Sequence, residues 1–271
     1  MVEQKSLSNN SDAVISEINV ARILYQARVQ QAAIKQLSKN GIALSRSEAY
    51  AVQEAGITMR VKDNERLVGL KMGLTSEGKR KQMNLDSPLY GELTDKMQID
   101  NNSNLDISKL IHPKIEPEIA FLISKPLAGN VTQQQVLEAC SGVSACMEIL
   151  DSRYEQFKYF SMEDVIADNS SSSHFVAGPW ISDFKHIDLK NLNMKMAIDG
   201  QIVQKGQSSE ISGDPVNSVI ELCRLLAERG RILEAGMIVL AGAATAAVEL
   251  KSKQKITLQV DSLPIVQISI L

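Results

Sequence analysis

An α+β fold is predicted by three features of this 271-residue sequence. Two helical patterns of apolar residues open the chain, runs of β type dominate the remainder, and Asp199-Gly200 marks a tight hairpin. The expected organisation is an N-terminal helical appendage, residues 1–65, packed on a β-rich core, residues 66–271. No Pro- or Gly-rich linker divides them, so they are expected to form one structural unit.

After a Ser/Asn-rich tail to about Ser11, apolar residues from Val14 to Leu37 recur near the 3.6 period, and Gly41 stands where a helix stop belongs. One long helix is expected there. Ser45 and Glu48 have capping-box spacing, each able to satisfy a backbone N–H at a helix start, and they open a second helix. Arg66 to Gly73 reads as a short buried strand, with a helix over Leu74 to Met83 at its end. An extended stretch, Lys96 to Ile99, precedes a strand over Leu110 to Ser124. Thr132 and Gln135 repeat the capping-box spacing before a short helix, Ala145 to Tyr154 reads as a strand, and Ala167 to Pro179 as a polar loop. Asp199-Gly200 suits the positive φ angles of a type I′ turn between two strands. Asp214, Pro215 and Gly230 place an N-cap, a first-turn proline and a stop around an amphipathic helix, and Gly236 to Leu271 is β-rich.

Composition narrows the function classes. An apolar share of 44% with 23% charged residues is that of an ordinary globular chain. The net charge of −3, without a long basic run, lacks the electrostatic footprint of a nucleic-acid binder; the GKRK cluster, Gly78 to Lys81, is too short to supply one. Cys140, Cys146 and Cys223 form no C-x-x-C pair and are odd in number, which argues against a disulfide framework and a zinc site. With no apolar h-region at the start and no apolar run of bilayer length, a cytoplasmic location and no membrane partner are expected.

The chemistry centres on Ile111 to Phe121, where Glu116 and Glu118 lie two residues apart in an apolar run. In a strand such residues share a face, so two anions occupy one small space and, unless solvated, must take up a proton or a cation. A lone E-x-E also fits an edge strand whose acids face water. Glu148, again among apolar residues, adds a third carboxylate that needs a partner if buried, and an oxygen-bound divalent cation, Mg2+ or Mn2+, is the economical one. Lys71, in an apolar strand, either snorkels to solvent or sits beside anions. Gly73, Gly78 and Lys79 match three positions of a phosphate-binding P-loop, but Arg80 replaces the hydroxyl residue that would hold magnesium, and no nucleotide site is expected. The hydroxyl-rich Ala167–Pro179 stretch reads either as a surface loop or as short donors lining an anion site. The scattered His112, His174 and His186 and the lack of a G-x-S-x-G elbow give no support to a Ser or Cys triad.

Four blocks, VGLKMGLTS, LIHPKIEPEIAF, EILDSRYEQFK and ADNSSSS, carry a resemblance. In order and approximate spacing the chain resembles the hydratase/decarboxylase family of meta-cleavage aromatic degradation, within the broader fumarylacetoacetate-hydrolase superfamily, from about Ala49 to near the C-terminus. The resemblance implies a mixed β-roll core decorated by helices. GLKMGLTS, HPKIE and DSRYEQFK are similar to the decarboxylase branch. That branch implies metal-dependent conversion of 4-oxalocrotonate (2-oxohex-3-enedioate) to 2-hydroxypenta-2,4-dienoate through a metal-stabilised dienolate. The alternatives are hydration of 2-hydroxypentadienoate and a non-catalytic partner subunit of such a hydratase.

Carried across position by position, the resemblance implies Glu116, Glu118 and Glu148 as ligands of Mg2+ or Mn2+ and Lys71 as the active-site lysine. It puts Asp168, Asn169 and Ser171 among the catalytic residues, and Leu74, Thr75, Ser172 and Thr245 against the substrate. Where relatives commonly show Gly-Gly-x-Thr, this chain has Gly242-Ala243-Ala244-Thr245, which brings a methyl group toward the pocket. A 2-oxo dicarboxylate substrate, a homo-oligomer and association with a cognate hydratase are also implied. Pro117, which removes a ladder donor, is expected to break the strand locally and leave its end open to substrate.

Overall fold

In the computed structural model, which describes residues 16–76, 80, 87–157 and 161–271, two helices precede a pair of sheets. Helix α1 spans Glu17–Gln30 and α2 spans Arg46–Lys62. The capping box of α2 forms as its sequence requires, with Ser45 N donating to Glu48 Oε2 at 2.7 Å and Glu48 N donating to Ser45 Oγ at 3.3 Å. The single long helix expected up to Gly41 is cut at Gln31, which takes a left-handed φ of 54°. Beyond it Ile34 N donates to Arg153 O at 2.9 Å and Ile34 O accepts from Glu155 N at 2.8 Å, so pairing with a distant segment replaces helical bonds. Gly41 ends a short 3-10 turn, Ser38–Asn40.

The first sheet contains β1 (Leu67–Gly73), β2 (Leu89–Thr94), β4 (Lys114–Ile123), β5 (Cys140–Leu150), β6 (Ser172–Ala177) and β9 (Ile238–Ala243), ordered β2-β1-β9-β4-β5-β6, with β10 (Val248–Glu249) also on β4. The second contains β3 (Asn104–Leu105), β7 (Asn193–Ile198), β8 (Gln201–Gln207), β11 (Lys255–Val260) and β12 (Leu263–Ile270), ordered β3-β12-β11-β7-β8. Helices α3 (Gln133–Ala139), α4 (Met162–Ala167) and α5 (Pro215–Ala227) are among those that connect and cover the strands. Asp199 and Gly200 both have positive φ, as the β7–β8 hairpin turn demands, and Asp214 caps α5 by accepting from Val216 N at 2.9 Å.

Alternation along β4 and β5 sorts their side chains. Ile115, Ile119, Phe121, Met147 and Ile149 join Ile256, Leu258, Val266 and Ile268 of the second sheet in the main core, each worth roughly 1.5–3 kcal/mol relative to exposure. The other face carries Glu116, Glu118 and Glu148 beside a smaller apolar cluster that includes Leu93, Ala120, Cys146, Phe175 and Leu240. Gln53 of α2 ties the helical segment to the core by donating through Nε2 to Tyr90 O and Ile166 O, both at 3.0 Å.

Several local expectations are corrected. Strand β4 is central, with β5 on one side and β9 and β10 on the other, so it is not an edge strand; it begins at Lys114, and Leu110 to Pro113 are irregular. Pro117 does not break it. Pro117 O accepts from Ala244 N at 3.1 Å, so its missing N–H faces the corner between β9 and β10, where the ladder is already irregular. Asp95–Met97 is a 3-10 turn, leaving only Gln98 and Ile99 extended beside Phe175. The stretch Ala167 to Pro179 is no surface loop: it ends α4, makes a buried turn and becomes β6. Most of the helix expected over Leu74 to Met83, with Gly78, Lys79 and Lys81, lies outside the described residues.

Candidate metal centre

The register of β4 and β5 brings three carboxylates together. Glu116 pairs directly with Glu148, and Glu118 with Cys146, so Glu116, Glu118 and Glu148 project from one face. One oxygen from each lies within 4.8 Å of the others. Glu118 and Glu148 are fully buried, and Glu116 is half-buried. The same face receives Lys71, because β1 residue Lys71 is in register with Leu240 of β9, and Leu240 with Ala120 of β4. Its Nζ lies 3.2 Å from Glu148 Oε2, with only 2% of the residue exposed. The lysine is therefore held beside anions and does not snorkel to solvent.

A bulge completes the cluster. Glu118 is in register with Ala243 but Ala120 with Leu240, so β9 carries an extra residue between them, and the freed Gly242 N donates to Glu118 Oε2 at 2.7 Å. Gly242 has φ +107°, and a Cβ there would lie 2.5 Å from Thr75 Oγ1, so only glycine fits. Glu118 Oε1 is buried and, among the described residues, has no hydrogen-bond partner. Burial first, then the charges of Glu148 and Glu116, push the Glu118 carboxyl well above its usual range, against Lys71 and the Gly242 N–H. With an all-oxygen donor set of three clustered carboxylates and, among the described residues, an unsatisfied buried oxygen, these residues fit a hard divalent cation such as Mg2+ or Mn2+.

The Asp168–Ser172 turn packs against this centre. Asn169, Ser170 and Ser171 have consecutive left-handed φ values of 50°, 54° and 55°, a conformation costing about 1–2 kcal/mol per non-glycine residue. Two devices hold it. Asn169 bridges β2, accepting from Glu92 N at 2.7 Å and donating to Glu92 O at 2.9 Å. Asp168 is fixed by Arg153, whose backbone N donates to Asp168 Oδ2 at 3.1 Å and whose guanidinium also reaches Asp168, Asp151 O and Ser172 O. Burial outweighs the Arg153 charge and raises the Asp168 carboxyl to about 6. Ser172 Oγ donates to Glu148 Oε1 at 3.2 Å, and Gly91, in register with Lys71, leaves room for the turn: a Cβ on it would meet Asn169 O at 2.8 Å.

Among the other candidate residues, Thr75 is buried against Gly242, and Leu74 is half-buried with a left-handed φ of 56°. Thr245 lies half-buried under β8, its Oγ1 donating to Ala246 O at 3.3 Å. Lys71, Glu116, Glu118, Glu148 and Ser172 thus converge, with Thr75 adjoining through Gly242, while Asp168 and Asn169 are engaged by Arg153 and β2.

Comparison with known proteins places this arrangement. The model of the fumarylacetoacetate (FAA) hydrolase C-terminal family matches residues 81–270, well over half the chain. The chain belongs to the fumarylacetoacetate hydrolase family. Within that family it is 42% identical to a 4-oxalocrotonate decarboxylase of Pseudomonas sp., over 90% of this chain and 94% of that one. It is 35% identical to a 2-hydroxypent-2,4-dienoate hydratase of Pseudomonas putida, over 76% of this chain and 94% of the relative. The solved 4-oxalocrotonate decarboxylase of Pseudomonas putida G7, complexed with magnesium and adipate, superposes with a TM-score of 0.89 at 34% identity, covering 99% of this chain and all of the other.

Reading the sequence as a member of this family still leaves two contributors unmarked. Arg153 lies inside the DSRY block, yet nothing local shows that its guanidinium buttresses the strained turn. The Gly242 N–H is a backbone donor, and a bulge that turns it onto Glu118 has only the glycine itself as a signal.

Proposed function

We propose that this chain is a carbon-carbon lyase that decarboxylates 4-oxalocrotonate (2-oxohex-3-enedioate) to 2-hydroxypenta-2,4-dienoate. The observation that carries the reading is the buried Glu116, Glu118 and Glu148 cluster facing Lys71, in a chain 42% identical to a protein named for that activity. A divalent cation held by the three carboxylates would supply Lewis acidity toward the keto oxygen of a 2-oxo acid. Lys71 offsets charge that develops as the bond to the far carboxylate breaks, or moves a proton to or from the product. Ser172 and the Gly242 N–H orient Glu148 and Glu118 by hydrogen bonds, as supporting groups do around a metal ligand. The Asp168–Ser172 turn, with Asn169 and Ser171, orients the departing carboxylate, and Leu74, Thr75 and Thr245 form walls of the substrate site.

Hydration of 2-hydroxypentadienoate is the second reading, supported by the 35% identity to a hydratase. The family resemblance further supports a homo-oligomer and association with a cognate hydratase, measurable by light scattering of the chain alone and mixed with that partner. A cytoplasmic location is supported by three free, buried cysteines; among the described residues no helix is long and apolar enough to cross a membrane. Supplying 2-oxohex-3-enedioate and 2-hydroxypentadienoate separately, with and without magnesium, tests the assignment. Magnesium-dependent loss of carbon dioxide from the first is expected; consumption of the second alone would reassign the chain as a hydratase.

A further inference from the structure

The helical segment and the Asp168–Asn169 turn border a partly open cavity of about 40 Å³, lined by Arg28, Gln53, Arg60, Arg153, Asp168 and Asn169 among others. Its three guanidinium groups are unequally matched. Arg153 is spent on Asp168 and on backbone carbonyls. Arg60 donates to Glu65 at 2.8 Å and to Thr94 Oγ1 at 3.3 Å. Arg28 is left over: it stacks on Tyr25 with its guanidinium carbon 4.9 Å from the ring centre, and its Nε is buried without a hydrogen-bond partner among the described residues. Asp168 and Glu65 are the acids paired to Arg153 and Arg60, and Arg28 shares the charge of Glu65 with Arg60, so three guanidinium groups meet two carboxylates in this group. A second lining residue, Gln53, has the complementary defect: its Nε2 is engaged, while its Oε1 is buried with no donor among the described residues.

Buried polar atoms without partners are uncommon in native proteins, and a donor orphan and an acceptor orphan lining one cavity call for an occupant that both accepts and donates. The volume equals that of a few water-sized probes, enough for one small polyatomic ion. We propose that this cavity binds a small protonated oxyanion, of the hydrogen carbonate or hydrogen phosphate type, whose anionic oxygens accept from Arg28 and whose O–H donates to Gln53. Arg28 and Gln53 take no part in the carboxylate cluster, although Asp168 and Asn169 of the turn beside that cluster also line the cavity, and the proposal does not rest on the lyase assignment.

Isothermal titration of the magnesium-loaded full-length protein with hydrogen carbonate, and in a second arm with inorganic phosphate, tests the site and separates the two sources. Saturable one-to-one binding of at least one of them is expected, weakened about tenfold or more in Arg28→Met, the ratio of one charge-assisted hydrogen bond. Sulfate, which accepts but carries no O–H at neutral pH, should bind at least about tenfold more weakly than the better of the two. Arg28→Gln, which keeps a polar group, provides a second variant should Arg28→Met fail to fold. Absence of saturable binding, unchanged affinity in the folded Arg28 variants, or sulfate binding as tightly as the protonated ions would each overturn the proposal.

Discussion

Ser172 touches two buried charge clusters of opposite character. Its hydroxyl donates to Glu148, one of three carboxylates gathered on the face that also receives Lys71. Its carbonyl accepts from Arg153, whose guanidinium is shared between Asp168 and three backbone oxygens, including that one. The second cluster is balanced, and it locks a left-handed turn in place. The first crowds three carboxylates together and, among the described residues, leaves Glu118 Oε1 without a hydrogen-bond partner. Buried charges that satisfy each other build scaffold, whereas a buried imbalance implies a component that is bound rather than folded in.

The largest effect that sharpens this contrast is expected at Lys71. Lys71→Met should lower turnover by about 10²–10⁴-fold, the usual range for a group that moves or offsets a proton, while magnesium binding persists or tightens because a competing cation is gone. Loss of metal binding with the lysine would show that the two are not separable. Arg153→Met attacks the balanced cluster and should cost about 3–5 kcal/mol of stability by leaving Asp168 buried and unpaired, read from urea unfolding. A stability change below about 1 kcal/mol, the worth of an exposed pair, would reduce Arg153 to a surface-like contact.

The smallest effects are pH slopes. Asp168 is raised from 3.8 to about 6, so the stability it contributes is full below 3.8 and is lost as pH rises through about 6. His174 is lowered from 6.5 to about 4 by burial and by the charges of Arg60 and Arg28. Its contribution is present above 6.5 and is lost as pH falls through about 4. On acidification from 6.5 to 4 the two therefore oppose each other. Urea unfolding of His174→Gln should gain stability relative to the unmodified chain over that window, and a carbon-NMR titration should find the Asp168 midpoint near 6. A midpoint below 3.8 would show that the Arg153 charge outweighs burial.

Much of the fold was legible in local sequence. The capping boxes at Ser45 and Thr132, the Asp199-Gly200 turn and the Asp214-Pro215 helix start depend on neighbours within a few residues, and each formed as expected. The three glutamates stood out because carboxylates are costly in apolar runs. Features that local pattern could not show depend on distant partners. The first helix stops at Gln31 because Ile34 pairs with the segment around Tyr154. Residues Asn169 to Ser171 are buried because Glu92 and Arg153 engage the turn, although their composition is that of an exposed loop. Pro117 suggested an edge or a break, and only the bulged corner beside it explains a proline inside a central strand.

The chemistry proposed for this centre depends on one cation bound by Glu116, Glu118 and Glu148, and titration with Mn2+ followed by electron paramagnetic resonance measures that binding. The unmodified chain should show one saturable site per chain. Glu118→Gln should show none over the same range and turn over only at the metal-free background, while its metal-free form is more stable than the unmodified chain because a disfavoured buried charge has been removed. An unchanged Mn2+ affinity in folded Glu118→Gln, or full turnover without added metal, would show that these carboxylates do not hold the working cation.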